Sequence, residues 1–248
     1  RFLEYVHDRP LHLLVVSEDL GELAHIHPAL VASDRLEVTH TFPRGGRWRL
    51  YADFTPPGSA QRVESFALTL AGPTPAVVPL VADAVLRKEQ AGLTLSLTPQ
   101  QPLRAGADVE LAFTIRDAKS GQPVNALEPF LGAWSHFVII DQQHESFIHA
   151  HPLEGPQFTA TPAAQHVHNE ATLGPPPAEI RTLTSFPRPG LYKLWAQFQL
   201  GGAVITQPFV LQVGAAQPPP ETTASVIPAH ALKLEIGSQG YAPAKLTM

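Results

Sequence analysis

Leu11-His12-Leu13-Leu14-Val15-Val16-Ser17, Glu18-Asp19-Leu20-Gly21 and Glu22-Leu23-Ala24-His25-Ile26-His27-Pro28 form the continuous stretch whose reading decides the fold. Two β-type runs flank a turn-forming tetrapeptide, which predicts an antiparallel hairpin. A two- or four-residue loop sets His12 opposite His27 and Leu14 opposite His25. Opposed residues share a face of the sheet, and so do residues i and i+2. All three histidines therefore converge on one face at one end of the hairpin. Leu11, Leu13, Val15, Ala24 and Ile26 make the other face purely apolar. A three- or five-residue loop would slip the register by one and send His12 to the wrong side.

The arrangement occurs twice. His136 is followed by His149-Ala150-His151-Pro152 at the same spacing, and between 12–28 and 136–152 only the three histidines and the proline are identical. The rest has drifted mostly apolar for apolar, with Leu13 facing Phe137 and Val15 facing Ile139. A second repeated element follows each hairpin: Phe42-Pro43-Arg44-Gly45-Gly46 in the first copy and Phe186-Pro187-Arg188-Pro189-Gly190 in the second. After the first, Trp48, Leu50, Ala52 and Phe54 alternate with Arg47, Arg49, Tyr51 and Asp53. After the second, Tyr192, Leu194, Ala196 and Phe198 repeat that inward face. Tyr51 and Trp195 fall on outward positions, where packing against a neighbouring domain is the simpler expectation than a contact with another protein.

Further strands are predicted at 36–41, 62–70, 93–98, 109–115 and 203–213. The second copy thus has about seven strands, with turn signals between them and no helical period. The expected fold class is all-β: tandem immunoglobulin-like, Greek-key β-sandwich domains. The predicted layout is a first sandwich over 1–71 and a Pro-rich linker over 72–79. A second sandwich follows over 80–213, then another Pro-rich linker over 214–225 and the start of a third, incomplete domain over 226–248. The first copy lacks two or three front strands, so they are expected upstream of Arg1 or from a partner. Residues 153–179 form a long loop that carries His166-Val167-His168.

Composition narrows the function. With 44% hydrophobic residues the chain can build real cores, and no apolar run is long enough to span a bilayer. A net charge of −5 without basic clusters gives no reason to expect nucleic acid. With no cysteine, disulfides, thiolate metal sites and thiol catalysis are excluded. No nucleophile elbow, phosphate loop or metalloprotease helix motif occurs, and Glu18-Asp19 reads as turn chemistry. The expectation is a non-catalytic protein. No signal peptide is visible, so targeting information is expected to lie outside this sequence.

The segments LHLLVVSEDLGELAHIHP and SHFVIIDQQHESFIHAHP, each followed by an FPRxG turn and an aromatic strand, resemble the modules of YtkA-like extracytoplasmic bacterial proteins. That resemblance covers residues 1–213. It implies immunoglobulin-like sandwiches on the periplasmic or extracellular side of the envelope, in a group often associated with copper handling. The tail from Ala231, with Gly240-Tyr241-Ala242-Pro243-Ala244-Lys245-Leu246-Thr247, is similar to the opening strands of plastocyanin-like cupredoxin domains. The copper ligands of those domains lie near their far end, so no ligand role carries over to any tail residue, His230 included.

Three imidazoles on one face can ligate copper, zinc or nickel and leave a further position open. They can equally hydrogen-bond to backbone and to each other, fixing the sheet edge before Pro28 and Pro152. The candidate metal ligands are His12, His25 and His27 in one set and His136, His149 and His151 in the other, with His166 and His168 as a further source from the long loop. Copper is the expected metal and zinc the alternative. The second functional class is an accessory subunit that docks onto a larger envelope or membrane-bound electron-transfer complex, with purely structural histidines. His7, His40 and His144 are expected to be exposed or half-buried and without a role.

Overall fold

Both histidine hairpins form in the even register, Leu14 opposite His25 and Val138 opposite His149. Each is closed by a four-residue loop, with Ser17 bonded to Glu22 and Asp141 to Ser146. Leu20 and His144 occupy the same place in the two loops, and both take positive φ, 56° and 59°. The computed structural model describes residues 3–6, 9–153 and 175–217, together with strand backbone at 235–237 and 240–242. Arg1–Ala216 forms one unit and Gln217–Met248 a second. Among the described residues there is no helix, and so none long and apolar enough to cross a membrane.

In the first copy, β1 (Leu11–Ser17) pairs with β2 (Leu23–Ile26) and with β5 (Gly46–Phe54), which pairs with β6 (Arg62–Leu70). In the second copy the same order recurs. Here β11 (His136–Asp141) pairs with β12 (Phe147–Ala150) and with β14 (Gly190–Leu200), which pairs with β15 (Ala203–Val213). β10 (Leu127–Glu128) joins the end of β14. A third sheet belongs to the second copy alone, in the order β13 (Ile180–Ser185), β9 (Asp108–Asp117), β8 (Leu93–Pro99), β7 (Arg87–Gln90). All pairings within these sheets are antiparallel. In the second unit, β16 (Glu235–Gly237) and β17 (Gly240–Ala242) form a small antiparallel pair.

Alternation along the strands assigns the faces. Phe137, Ile139, Leu194, Ala196, Phe198 and Phe209 meet Leu95, Leu111, Phe113 and Ile115 of the third sheet in the larger core. Phe113 is its centre, with its ring 6.0 Å from Phe137 and 6.1 Å from Phe209. The centre of the opposite face of the second sheet is covered as well. Leu14, Val16, Leu20 and Tyr51 of the first copy pack there against Val138, Ile140 and Trp195 of the second. Tyr51 and Trp195, each 3% exposed, are therefore inter-copy core residues, as expected of matched outward aromatics. Most of these residues stand at repeat-equivalent places: Leu14 with Val138, Val16 with Ile140, Tyr51 with Trp195. The two copies meet through the same patch, as in an isologous contact between subunits.

The repeated FPRxG turns brace the hairpin tips. Arg44 donates to both carboxylate oxygens of Asp19, at 2.6 and 2.7 Å, and Arg188 pairs with Glu145. Phe42 stacks edge-on against Trp48, and Phe186 does so against Tyr192.

Two expectations are corrected. The strand at 36–41 is reduced to β4 (Arg35–Glu37), paired with β3 (Ala29–Ala32). That ladder ends at Ala29 opposite Glu37, where Pro28 has no N–H to extend it. His144 is buried rather than exposed, bonded to the Tyr51 hydroxyl at 2.9 Å and to the Glu18 carbonyl at 3.0 Å. Its burial comes from the packing of the other copy over the loop, which no local pattern encodes. His7 lies outside the described residues.

Because the inter-copy core is small, removing its largest side chain is expected to be costly. Trp195→Ala should lower the unfolding free energy by about 3–5 kcal/mol, read from urea denaturation of the metal-free protein. A loss below about 1 kcal/mol would show that this core does not hold the unit together.

Candidate metal centre

His12, Leu14 and Val16 share a face of β1, and His136, Val138 and Ile140 share the corresponding face of β11. Packing Leu14 and Val16 against Val138 and Ile140 therefore drives the histidines of the two copies together. The sequence predicts two separate three-histidine groups; the structure joins them. The His12 ring lies 5.2 Å from His149 and 6.3 Å from His136, and His25 lies 5.3 Å from His149 and 5.7 Å from His136. His27 reaches the cluster through His12, Nε2 to Nδ1 at 3.2 Å. His151 lies 4.5 Å from His149 and 4.8 Å from His136, centroid to centroid. His166 and His168 lie outside the described residues.

Every pivotal ring is oriented by a partner on its outer nitrogen. His12 Nε2 is 3.0 Å from the carbonyl of Val6, and His136 Nε2 is 2.8 Å from that of Phe130. His149 Nδ1 is 2.9 Å from Asp53 Oδ2, across the copies. His25 Nδ1 is 2.8 Å from Gln197 Oε1, also across the copies; the Gln197 amide nitrogen donates to Thr206 Oγ1. Carbonyl and carboxylate oxygens only accept, so each of these outer ring nitrogens must carry the proton. In the neutral rings the inner nitrogens are then lone pairs: Nδ1 of His12 and His136, Nε2 of His25 and His149.

These lone pairs face each other at close range. His12 Nδ1 is 3.0 Å from His25 Nε2, and His136 Nδ1 is 3.4 Å from His149 Nε2. Two nitrogens bound to one ion at ~2.05 Å are about 2.9 Å apart at a right angle and about 3.3 Å apart at the tetrahedral angle. The spacing thus suits a shared cation. A proton in the gap would also relieve the repulsion, but it would charge a ring in a poorly solvated place. Burial, with the nearby His149, pushes His12 down to about 3 and His25 well below its ordinary range. Burial, then Arg9 and His149, lowers His27 to about 4. At neutral pH these rings are uncharged donors.

Among the described residues two sets of three ligand nitrogens result, each set within 4.8 Å: His12/His25/His149 and His136/His149/His151. His149 and Asp53 are almost fully enclosed, with side chains 1% and 4% exposed. Burial raises the carboxyl of Asp53, but the hydrogen bond and charge of His149 and the amide of Gln61 more than offset it, leaving Asp53 below its usual range. Asp53 supplies a negative charge at the edge of the cluster and orients the His149 ring, as outer partners of metal-bound histidines do. Sequence reading placed Asp53 on the outward face of its strand without a role. The signal available was its position on the same face as Tyr51, directly opposite His12 in the β1–β5 ladder. Its counterpart in the second copy is Gln197, so the outer partners are symmetric in place and asymmetric in charge.

The depressed histidines make the metal-free protein acid-labile. Their unfolded pKa is near the ordinary 6.5 and their folded values lie lower, so the unfolded chain binds more protons as pH falls. The stabilisation is present above about 6.5 and is lost progressively as the pH falls toward the folded values of about 3 and about 4. The melting temperature of metal-free protein should hold steady from pH 8 to 7 and drop between about pH 6.5 and 4.5. His12→Gln/His25→Gln should flatten that drop; an unchanged profile would contradict the burial argument.

A family described as a domain of unknown function, DUF8832, matches residues 2–72 and 88–215, which include both histidine hairpins. The chain belongs to that family. No curated protein matches it.

Proposed function

We propose that this member of the family is a non-catalytic, extracytoplasmic protein that binds and carries a transition metal, copper first and zinc as the alternative. The carrying observation is the pair of close contacts between inner imidazole nitrogens, His12 to His25 and His136 to His149, in rings each oriented by a partner on the outer nitrogen. Purely structural histidines would use their inner nitrogens to donate to acceptors; here the inner nitrogens point at one another. Imidazole donors without thiolate suit copper, zinc and nickel alike. Copper and the envelope location rest on the resemblance to YtkA-like modules, with immunoglobulin-like sandwiches and a tail similar to a cupredoxin start. The chain's own cluster contributes imidazole ligands and a buried carboxylate, Asp53, paired with His149.

A second reading has its own observation. The first sheet turns Leu11, Leu13 and Ala52 toward an open groove that Leu36 and Val38 also line, and Phe66 is 58% exposed. The equivalent face of the second sheet is covered by four strands. An uncovered apolar face of this kind suits docking onto a larger envelope or membrane-bound electron-transfer complex. Metal carriage and docking are compatible, and the metal reading is the one the site geometry favours.

The deciding experiment titrates Cu(II) and Zn(II) separately into metal-stripped protein, with the fold checked by circular dichroism. Stoichiometric binding is expected in the natural sequence and its loss in His25→Ala/His27→Ala/His149→Ala/His151→Ala. Equal, weak binding in both proteins would sink the metal reading and leave the docking subunit. Asp53→Asn, which keeps an acceptor and removes the charge, should weaken binding by about 10–100-fold. An unchanged affinity would remove Asp53 from the site.

A further inference from the structure

His149 belongs to both three-nitrogen sets, yet it has one nitrogen to offer. Its Nδ1 is engaged by Asp53 at 2.9 Å, with both side chains buried, so only Nε2 is available for ligation. One lone pair binds one ion. From this we infer that the cluster is a single-ion centre with two alternative seats, His12/His25/His149 and His136/His149/His151, between which the ion passes while His149 stays bound. The inference rests on the metal-binding reading and deepens it, fixing how many ions the chain holds and how it moves them.

The geometry favours alternation over two filled seats. If both were filled, one ion would have to do without His149; in the first seat it would keep His12 and His25 and have to recruit His27, which belongs to neither three-nitrogen set. The ions would also repel each other across the rings of His12 and His136, whose centroids are 6.3 Å apart. Each seat in turn draws its remaining ligands from a single copy: His12 and His25 from the first, His136 and His151 from the second. Moving from one seat to the other exchanges the two other ligands and keeps the third. That is a low-barrier route for handing an ion from one copy to the other without release to water. The asymmetry of outer partners fits this design, because the charged one, Asp53, is attached to the shared ligand, and the neutral Gln197 to a ligand of one seat only.

Alternation has a distinctive mutational logic, testable with Zn(II) alone by native mass spectrometry and calorimetry on the full chain. The natural sequence should hold one tightly bound ion per chain. His25→Ala leaves the second seat intact and His151→Ala the first, so each should keep one ion with affinity within about 10-fold. His25→Ala/His151→Ala, and His149→Ala by itself, should each weaken binding by about 100-fold or more. Two tight ions in the natural sequence would overturn the single-ion inference and leave the metal reading standing. So would tight binding that survives His149→Ala, or that is abolished by His25→Ala or His151→Ala alone. No binding in the natural sequence would overturn both.

Discussion

The structure turns on the burial of one face of each histidine hairpin against the same face of the other. Leu14 and Val16 meet Val138 and Ile140, and Tyr51 and Trp195 fill the space beside them. The histidines sit on the same strand face two residues further along, so the apolar contact forces them together whether or not their own interactions are favourable. Burying imidazoles without partners costs free energy, and the protein meets that cost with outer acceptors taken from loops and from the opposite copy. Apolar packing thus supplies the force, and the polar shell decides which nitrogens point inward.

Duplication explains why the arrangement is nearly symmetric. A backbone carbonyl six residues before the first histidine serves each copy, Val6 for His12 and Phe130 for His136. A side chain from the long strand of the other copy serves each middle histidine, Asp53 for His149 and Gln197 for His25. The copies have diverged where their surroundings differ. One face of the second copy packs on a third sheet and carries large apolar residues; its counterpart in the first copy is open and lined by Leu11, Leu13 and Ala52. Divergence has spared the positions that build the cluster, apart from the exchange of a carboxylate for an amide, which places Asp53 on one side and Gln197 on the other.

The hairpins, their even register and the shared face of the three histidines were legible from sequence, because strand alternation and turn length are local properties. Inward faces such as Tyr192, Leu194, Ala196 and Phe198 were legible for the same reason. The burial of His144 was not, since the Tyr51 and Glu18 that hold it lie in the other copy. Nor was the part played by Asp53, an acidic residue on an alternating strand that local pattern marks as outward.

From its amino-acid order alone this protein has two repeats, each with three histidines that a period of two residues and an even-length loop place on one face. Whether the two groups remain apart or merge depends on which surfaces the hairpins present to each other, and that depends on contacts between residues more than 120 positions apart, such as Tyr51 and Trp195. Only the tertiary structure could decide that the six histidines share one enclosure, that His149 is common to both sets, and that a single carboxylate from the other copy orients it.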